Sequence, residues 1–89
     1  MGDGLTILIS DRNRHVREFL RREMMAEGYR VRLAKSGREV LHWAYHPERL
    51  DLIILDLDLP DTGELKLLEK LENRIPALPV VVHAFSSDY

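Results

Sequence analysis

The sequence contains no cysteine, which excludes disulfide staples and thiolate metal sites. Long apolar runs are missing as well. The longest, Leu52–Leu55 and Ala77–Leu78 with Val80–Val82 close by, fall far short of the ~20 residues of a membrane span. Met1-Gly-Asp-Gly offers neither the basic nor the apolar stretch of a signal peptide. Gly2 with Thr6 matches a loose myristoylation pattern, but Thr6 falls where a strand begins, and the pattern is set aside. A strong charge of one sign is also absent: 13 basic against 15 acidic residues leave −2, which argues against direct nucleic-acid binding. A cytoplasmic protein without membrane association is the expectation. At 89 residues the chain holds one small domain, read as a single unit over 1–89. Chains of this size bury only about 60–65% of their unfolded surface, so such a domain is marginal unless something completes it.

What is present is a strict alternation of strands and helices. Leu5–Ser10 (LTILIS) is almost continuously apolar and β-branched, as in a strand buried on both faces. Asp11–Asn13 provides caps for a helix whose stripe is Val16, Phe19, Leu20 and Met24, and Gly28 ends it. Tyr29, Val31 and Leu33 alternate with Arg30 and Arg32, the pattern of an edge strand. Ser36 or Gly37 opens a second helix carrying Val40, Leu41 and Ala44, which Pro47 forbids from continuing. Leu50–Asp56 reads as another two-sided strand. Leu65, Leu67, Leu68, Leu71 and Ile75 outline a third helix, closed by Pro76 and Pro79, and Val80–Ala84 reads as a fourth buried strand. The order β-α-β-α-β-α-β means parallel strands joined by right-handed crossovers.

In an open parallel sheet, ligands sit beyond the carboxyl ends of the strands. The first strand delivers Ser10, Asp11 and Arg12 there, the third Asp56, Leu57 and Asp58, the fourth His83, Ala84 and Phe85. Asp11 and Asp56 thus converge although 45 positions separate them. Carboxylates gathered in this way are a common means of holding Mg²⁺ with phosphate.

The stretch LTILISDRNRHVREFLRREMMAEGYRVRLAKSGREVL, then DLIILDLDLP, then LPVVVHAF, resembles the receiver domain of bacterial response regulators from Leu5 to about Asp88. The resemblance implies a flavodoxin-like sheet in order 2-1-3-4 with helices on both faces. It implies a phosphoacceptor at Asp56, with Pro60 at the family's proline position, and a histidine kinase or phosphotransfer protein as donor. Such a receiver takes the phosphoryl group onto itself and is not a classical enzyme. Metal ligands are implied at Asp11 and Asp56, with Asp58 as an extra carboxylate, and the hydroxyl switch position falls on Ala84. The chain departs from the family at both ends of this set. Arg12 replaces a metal-ligating carboxylate, and Ala84 has no hydroxyl. A divalent cation about 4 Å from a guanidinium is repelled by about 8 kcal/mol at an effective dielectric of about 20, before screening and side-chain movement. Weak Mg²⁺ affinity follows. The family fold also has a fifth strand, which is not present in this chain, so the domain reads as incomplete at its C-terminus. The bare edge at Val80–Val82 is then a template for chain beyond Tyr89, a second copy or a partner.

Two other functions fit the same residues. One is a pseudo-receiver, an interaction module whose state does not depend on phosphate, favoured by Arg12 and Ala84. The other is a phosphatase of the haloacid dehalogenase type, whose Asp-x-Asp follows an apolar strand as Asp56-Leu57-Asp58 does. That family places its motif near the chain start and needs later Lys and Asp residues that this chain does not supply. His42 and His46 have the i, i+4 spacing of a zinc pair, but no third ligand is evident, and an exposed helix face is the reading preferred. Arg14, Arg17 and Arg21, with Glu18 between them, read as a solvated, salt-bridged face of the first helix.

Overall fold

A nearly continuous run of apolar and β-branched side chains leaves Thr6–Ser10 without a face for solvent. The segment forms strand β1 inside the sheet, all five residues buried. The computed structural model describes residues 4–83, apart from the side chains of Glu64 and His83. After β1 come α1 (Arg14–Ala26), β2 (Arg30–Ala34), α2 (Gly37–Ala44), β3 (Leu52–Asp56), α3 (Thr62–Leu65), α4 (Leu67–Glu72) and β4 (Val80–His83). All neighbouring strands are parallel and the order is β2-β1-β3-β4, as the alternation of elements predicts. Ile7–Ile9 of β1 pair with Leu52–Ile54 of β3, while Thr6–Ser10 run beside Arg30–Ala34 of β2.

The helix starts follow from short polar side chains. Asn13 caps α1, its side-chain oxygen accepting from the amides of His15 and Val16. Ser36 caps α2 through the Glu39 amide, and Glu39 reaches back to the Lys35 amide. At the end of α1 the chain reverses through Gly28 at φ 93°, a left-handed conformation that suits glycine.

The two faces of the sheet are covered unequally. Leu8, Ile53 and Leu55 pack with Val40 and Ala44 of α2 and with Leu67 and Leu71 of α4 in one continuous core. The opposite face presents Ile9 and Ile54 to α1, the single helix on that side among the described residues. Alone there, α1 buries none of its residues fully: Phe19 is 52% exposed and Val16 39%. Its expected apolar stripe instead borders a groove of about 540 Å³ lined by His15, Val16, Phe19, Leu20 and Ile54.

Two further elements differ from expectation. The third helix is interrupted at Lys66, which adopts φ 50° and ψ 50° and splits it into α3 and α4. The break re-phases the chain, so Leu67 and Leu71 face the core, whereas Leu68 is largely exposed and Ile75 is 94% exposed beyond the helix. Strand β4 is not buried on both faces: Val81 and Val82 are 53% and 46% exposed, because β4 ends the sheet among the described residues.

Where β3 begins, the carboxylate of Asp51 accepts from the Thr6 amide at 2.8 Å, and its own amide donates to Thr6 O at 2.9 Å. The Thr6 hydrogen bond holds this carboxyl below the usual carboxylate range; burial works against it, and Arg49 adds to it. No helix among the described residues is long and apolar enough to cross a membrane.

This unequal burial sets the cost of mutation. Ile53→Ala, at a fully buried position of β3, is expected to lower stability by about 3 kcal/mol. Val81→Thr, on the half-exposed edge, should stay within about 0.5 kcal/mol. Urea denaturation of both variants checks the contrast, and equal losses would contradict the assigned faces.

Candidate functional site

At the carboxyl edge of the sheet β1 and β3 stop pairing after Ile9 and Ile54, and the chains diverge. The Asp11 amide turns away to Ala34 O at 3.2 Å. In the gap the Ser10 hydroxyl takes over the ladder: it donates to Ile54 O at 2.9 Å and accepts from the Asp56 amide at 3.1 Å. Ser10 is fully buried, so an unpaired amide there would carry a desolvation cost of about 1–3 kcal/mol. The sequence names Ser10 only as a strand end. Its bridging role depends on the β1–β3 register, which short apolar runs do not specify.

The carboxylate of Asp56, a residue only 3% exposed, is gripped from both sides by backbone. Its Oδ2 accepts from the Arg12 amide at 3.1 Å and its Oδ1 from the Asp58 amide at 2.8 Å. Asp11 lies one residue before Arg12, is also buried, and accepts at Oδ1 from the Asn13 amide at 2.7 Å. The structure therefore brings Asp11, Arg12, Asp56 and Asp58 to one corner. Arg17 joins them unannounced: its guanidinium donates to Asp11 O at 2.8 Å, returning from the first turn of α1 to the end of β1. The arginine stripe is thus not purely a solvated face, although Arg21 does pair with Glu18 at 3.6 Å. Ala84 lies outside the described residues.

The side chains of Arg12 and Asp58 approach each other at 3.9 Å. Arg12 thereby pairs with Asp58 and touches Asp56 through its backbone amide. Receiver domains typically hold Mg²⁺ at this acidic corner. The residues present here fit that ion poorly. Arg12 brings a positive charge beside the carboxylates, Asp58 faces its guanidinium, and no group of three His, Cys, Asp or Glu suited to a metal occurs among the described residues. His42 and His46 stand with Trp43 in a ring cluster of 5.2–5.4 Å spacings, with Arg32 over the indole.

Beyond Asp56 the loop is tied to the second helix. Asp61 accepts from the Gly37 amide at 2.6 Å and the Arg38 amide at 3.1 Å, so with Ser36 it satisfies the first three amides of α2. A Cβ at position 37 would lie 2.9 Å from Asp61 Oδ1, which accounts for glycine there. Burial pushes the Asp61 carboxyl up, but the Gly37 and Arg38 amides and the Arg38 charge together bring it below the usual carboxylate range.

The sequence matches the response regulator receiver domain family over residues 7–89, and the chain belongs to that family. Among curated proteins it is 38% identical to the response regulator MprA of Mycolicibacterium vanbaalenii over 76 residues, 85% of this chain and 32% of that protein. It is 30% identical to the DNA-binding transcriptional regulator NtrC of Rhizobium meliloti over 79 residues, 89% of this chain and 16% of that protein. The chain thus spans about a third of MprA and less of NtrC. Among solved structures, the receiver domain of HemR from Leptospira biflexa superposes with TM-score 0.80 at 28% identity, covering 96% of this chain and 68% of that one. A chain from the complex of the histidine kinase ThkA with the response regulator TrrA gives TM-score 0.78 at 28% identity, covering 96% and 72%. Receivers are signalling modules and not classical enzymes.

The cap on α2 has a pH signature. Because the folded pKa of Asp61 is depressed, its contribution is complete above the unfolded carboxylate value of about 3.9 and is lost as pH falls through the lower folded value. Asp61→Asn is expected to lower stability at neutral pH by about 1 kcal/mol, about 5 °C in Tm for a domain this size. The difference from the unaltered chain should shrink below about pH 4, where thermal melts in acid check it.

Proposed function

We propose that this domain receives the signal of a two-component phosphorelay, with Asp56 as the phosphoryl acceptor and a histidine kinase or phosphotransfer protein as the donor. The carrying observation is the Asp56 carboxylate, fixed at a strand end by the amides of Arg12 and Asp58 and otherwise nearly buried. An acceptor of this kind needs an oxygen held in one direction, which two backbone donors provide. Backbone donors also keep the nucleophile oriented whatever the Arg12 side chain does. Asp11 supplies the neighbouring carboxylate, Ala84 occupies the switch position without a hydroxyl, and the setting is the cytoplasm. A kinase assay with mass detection tests this reading. The unaltered chain is expected to gain one phosphoryl group, labile to hydroxylamine, and Asp56→Asn to gain none. Labelling that persists in Asp56→Asn would refute the assignment.

The open edge belongs to the same reading. Strand β4 carries exposed Val81 and Val82 and has no neighbour beyond it among the described residues. Its unpaired backbone is a template for another strand. Chain following Tyr89, a second copy or a partner protein is proposed to pair along Val80–Val82, and self-pairing is the outcome tested. Sedimentation across a concentration series should show mass action between monomer and dimer. A monomer at high concentration with rapidly exchanging Val80–Val82 amides would count against self-pairing.

A further inference from the structure

The residue that spoils the metal site is also well placed to replace the metal. We propose that the guanidinium of Arg12, released from Asp58, binds the oxygens of the phosphoryl group on Asp56, so that transfer to this domain proceeds without a divalent cation. The proposal rests on Asp56 being the phosphoryl acceptor. Three observations support it. First, the backbone positions Arg12 one hydrogen bond from the acceptor, its amide on Asp56 Oδ2 at 3.1 Å. Asp58 is one hydrogen bond away on the other oxygen, at 2.8 Å, so the two residues whose side chains pair are the two whose amides flank the carboxylate. Second, that pair is loose. It measures 3.9 Å between side chains that are 56% and 36% exposed, the kind of surface contact that a dianion displaces readily. Third, a second guanidinium stands at the same strand end, since Arg17 donates to Asp11 O at 2.8 Å. Together the two arginines bring two positive charges to the corner, as many as a divalent cation, and the planar fork of Arg12 matches two phosphoryl oxygens.

The chemistry balances with a small acyl phosphate as donor. One Asp56 oxygen forms the new P–O bond while the P–O bond to the acetyl group of acetyl phosphate breaks. Acetate leaves with the electron pair as a stable anion and needs no proton. One acyl phosphate replaces another, and the charge gained on the phosphoryl oxygens falls where the Arg12 fork reaches.

The test uses the whole chain with acetyl phosphate, in EDTA and in Mg²⁺, with intact-mass detection and calorimetric Mg²⁺ titration alongside. The unaltered chain should label equally fast in both media and give no Mg²⁺ heat. Arg12→Gln should slow labelling by about tenfold or more in both, the loss of a charge-assisted contact. Arg12→Asp should bind Mg²⁺ and label only when it is present. Arg12 is exposed, and circular dichroism checks that each variant is folded. Labelling of the unaltered chain only in Mg²⁺, or an Arg12→Gln variant as fast as the original, would overturn the role of Arg12 and leave Asp56 as acceptor intact. Absence of label on Asp56 in every condition would overturn both.

Discussion

The parallel pairing of β1 with β3 is the constraint on which the rest of the molecule depends. Three residues on each strand are in register, and just beyond them the ladder ends. Had the pairing continued, the Asp11 and Asp56 backbones would be locked together, with no space between their side chains for a ligand. Divergence opens that space and leaves backbone groups without a strand partner. The Ser10 hydroxyl answers two of them with a single oxygen, which donates to Ile54 and accepts from Asp56. Asp56 can then turn its carboxylate back toward β1 and take the Arg12 amide. At the opposite end of the same strands, Asp51 and Thr6 close the pair with reciprocal bonds. Register is therefore fixed at both ends by side chains as well as by the ladder.

Strand order, the charged edge at Arg30 and Arg32, and the meeting of Asp11 with Asp56 were legible in the sequence. Parallel crossovers admit few topologies, and every strand in one has its carboxyl end on the same side. The break at Lys66 was not legible. The leucines at 65, 67, 68, 71 and 75 fit more than one helical phase, and only contact with α2 selects Leu67 and Leu71. The exposure of Phe19 was equally hidden, because periodicity identifies an apolar stripe without saying how much covers it. The run at Val80–Val82 looked buried for the same reason. Ser10 and Asp61 each act through two hydrogen bonds across long stretches of chain, and Arg17 through one bond to Asp11 O; no local pattern announces such bonds. Lone polar residues at strand ends, one residue from a recognised acidic position, are the signal to examine.

Charge at the site is arranged differently from composition alone. Asp11, Asp56 and Asp58 crowd one corner of a domain whose net charge is only −2, and Arg12 and Arg17 are set among them. The two arginines differ in kind. Arg17 is committed to a backbone carbonyl and fixes the first turn of α1 to β1, whereas Arg12 sits at the surface in a contact of small energetic value. One is scaffold and the other is surface charge.

The bond between Asp61 and the start of α2 gives the site a mechanical reach. Asp61 lies five residues past Asp56, on the loop that leaves the acceptor, and its carboxylate is the lid on the amides of Gly37 and Arg38. Any shift of that loop must either drag the helix end with it or uncap it. Helix and loop are joined as a crank is to its pin, at the Gly37 and Arg38 amides where α2 begins. The exchange rates of two backbone amides thus become a gauge of what happens at a carboxylate neither of them touches.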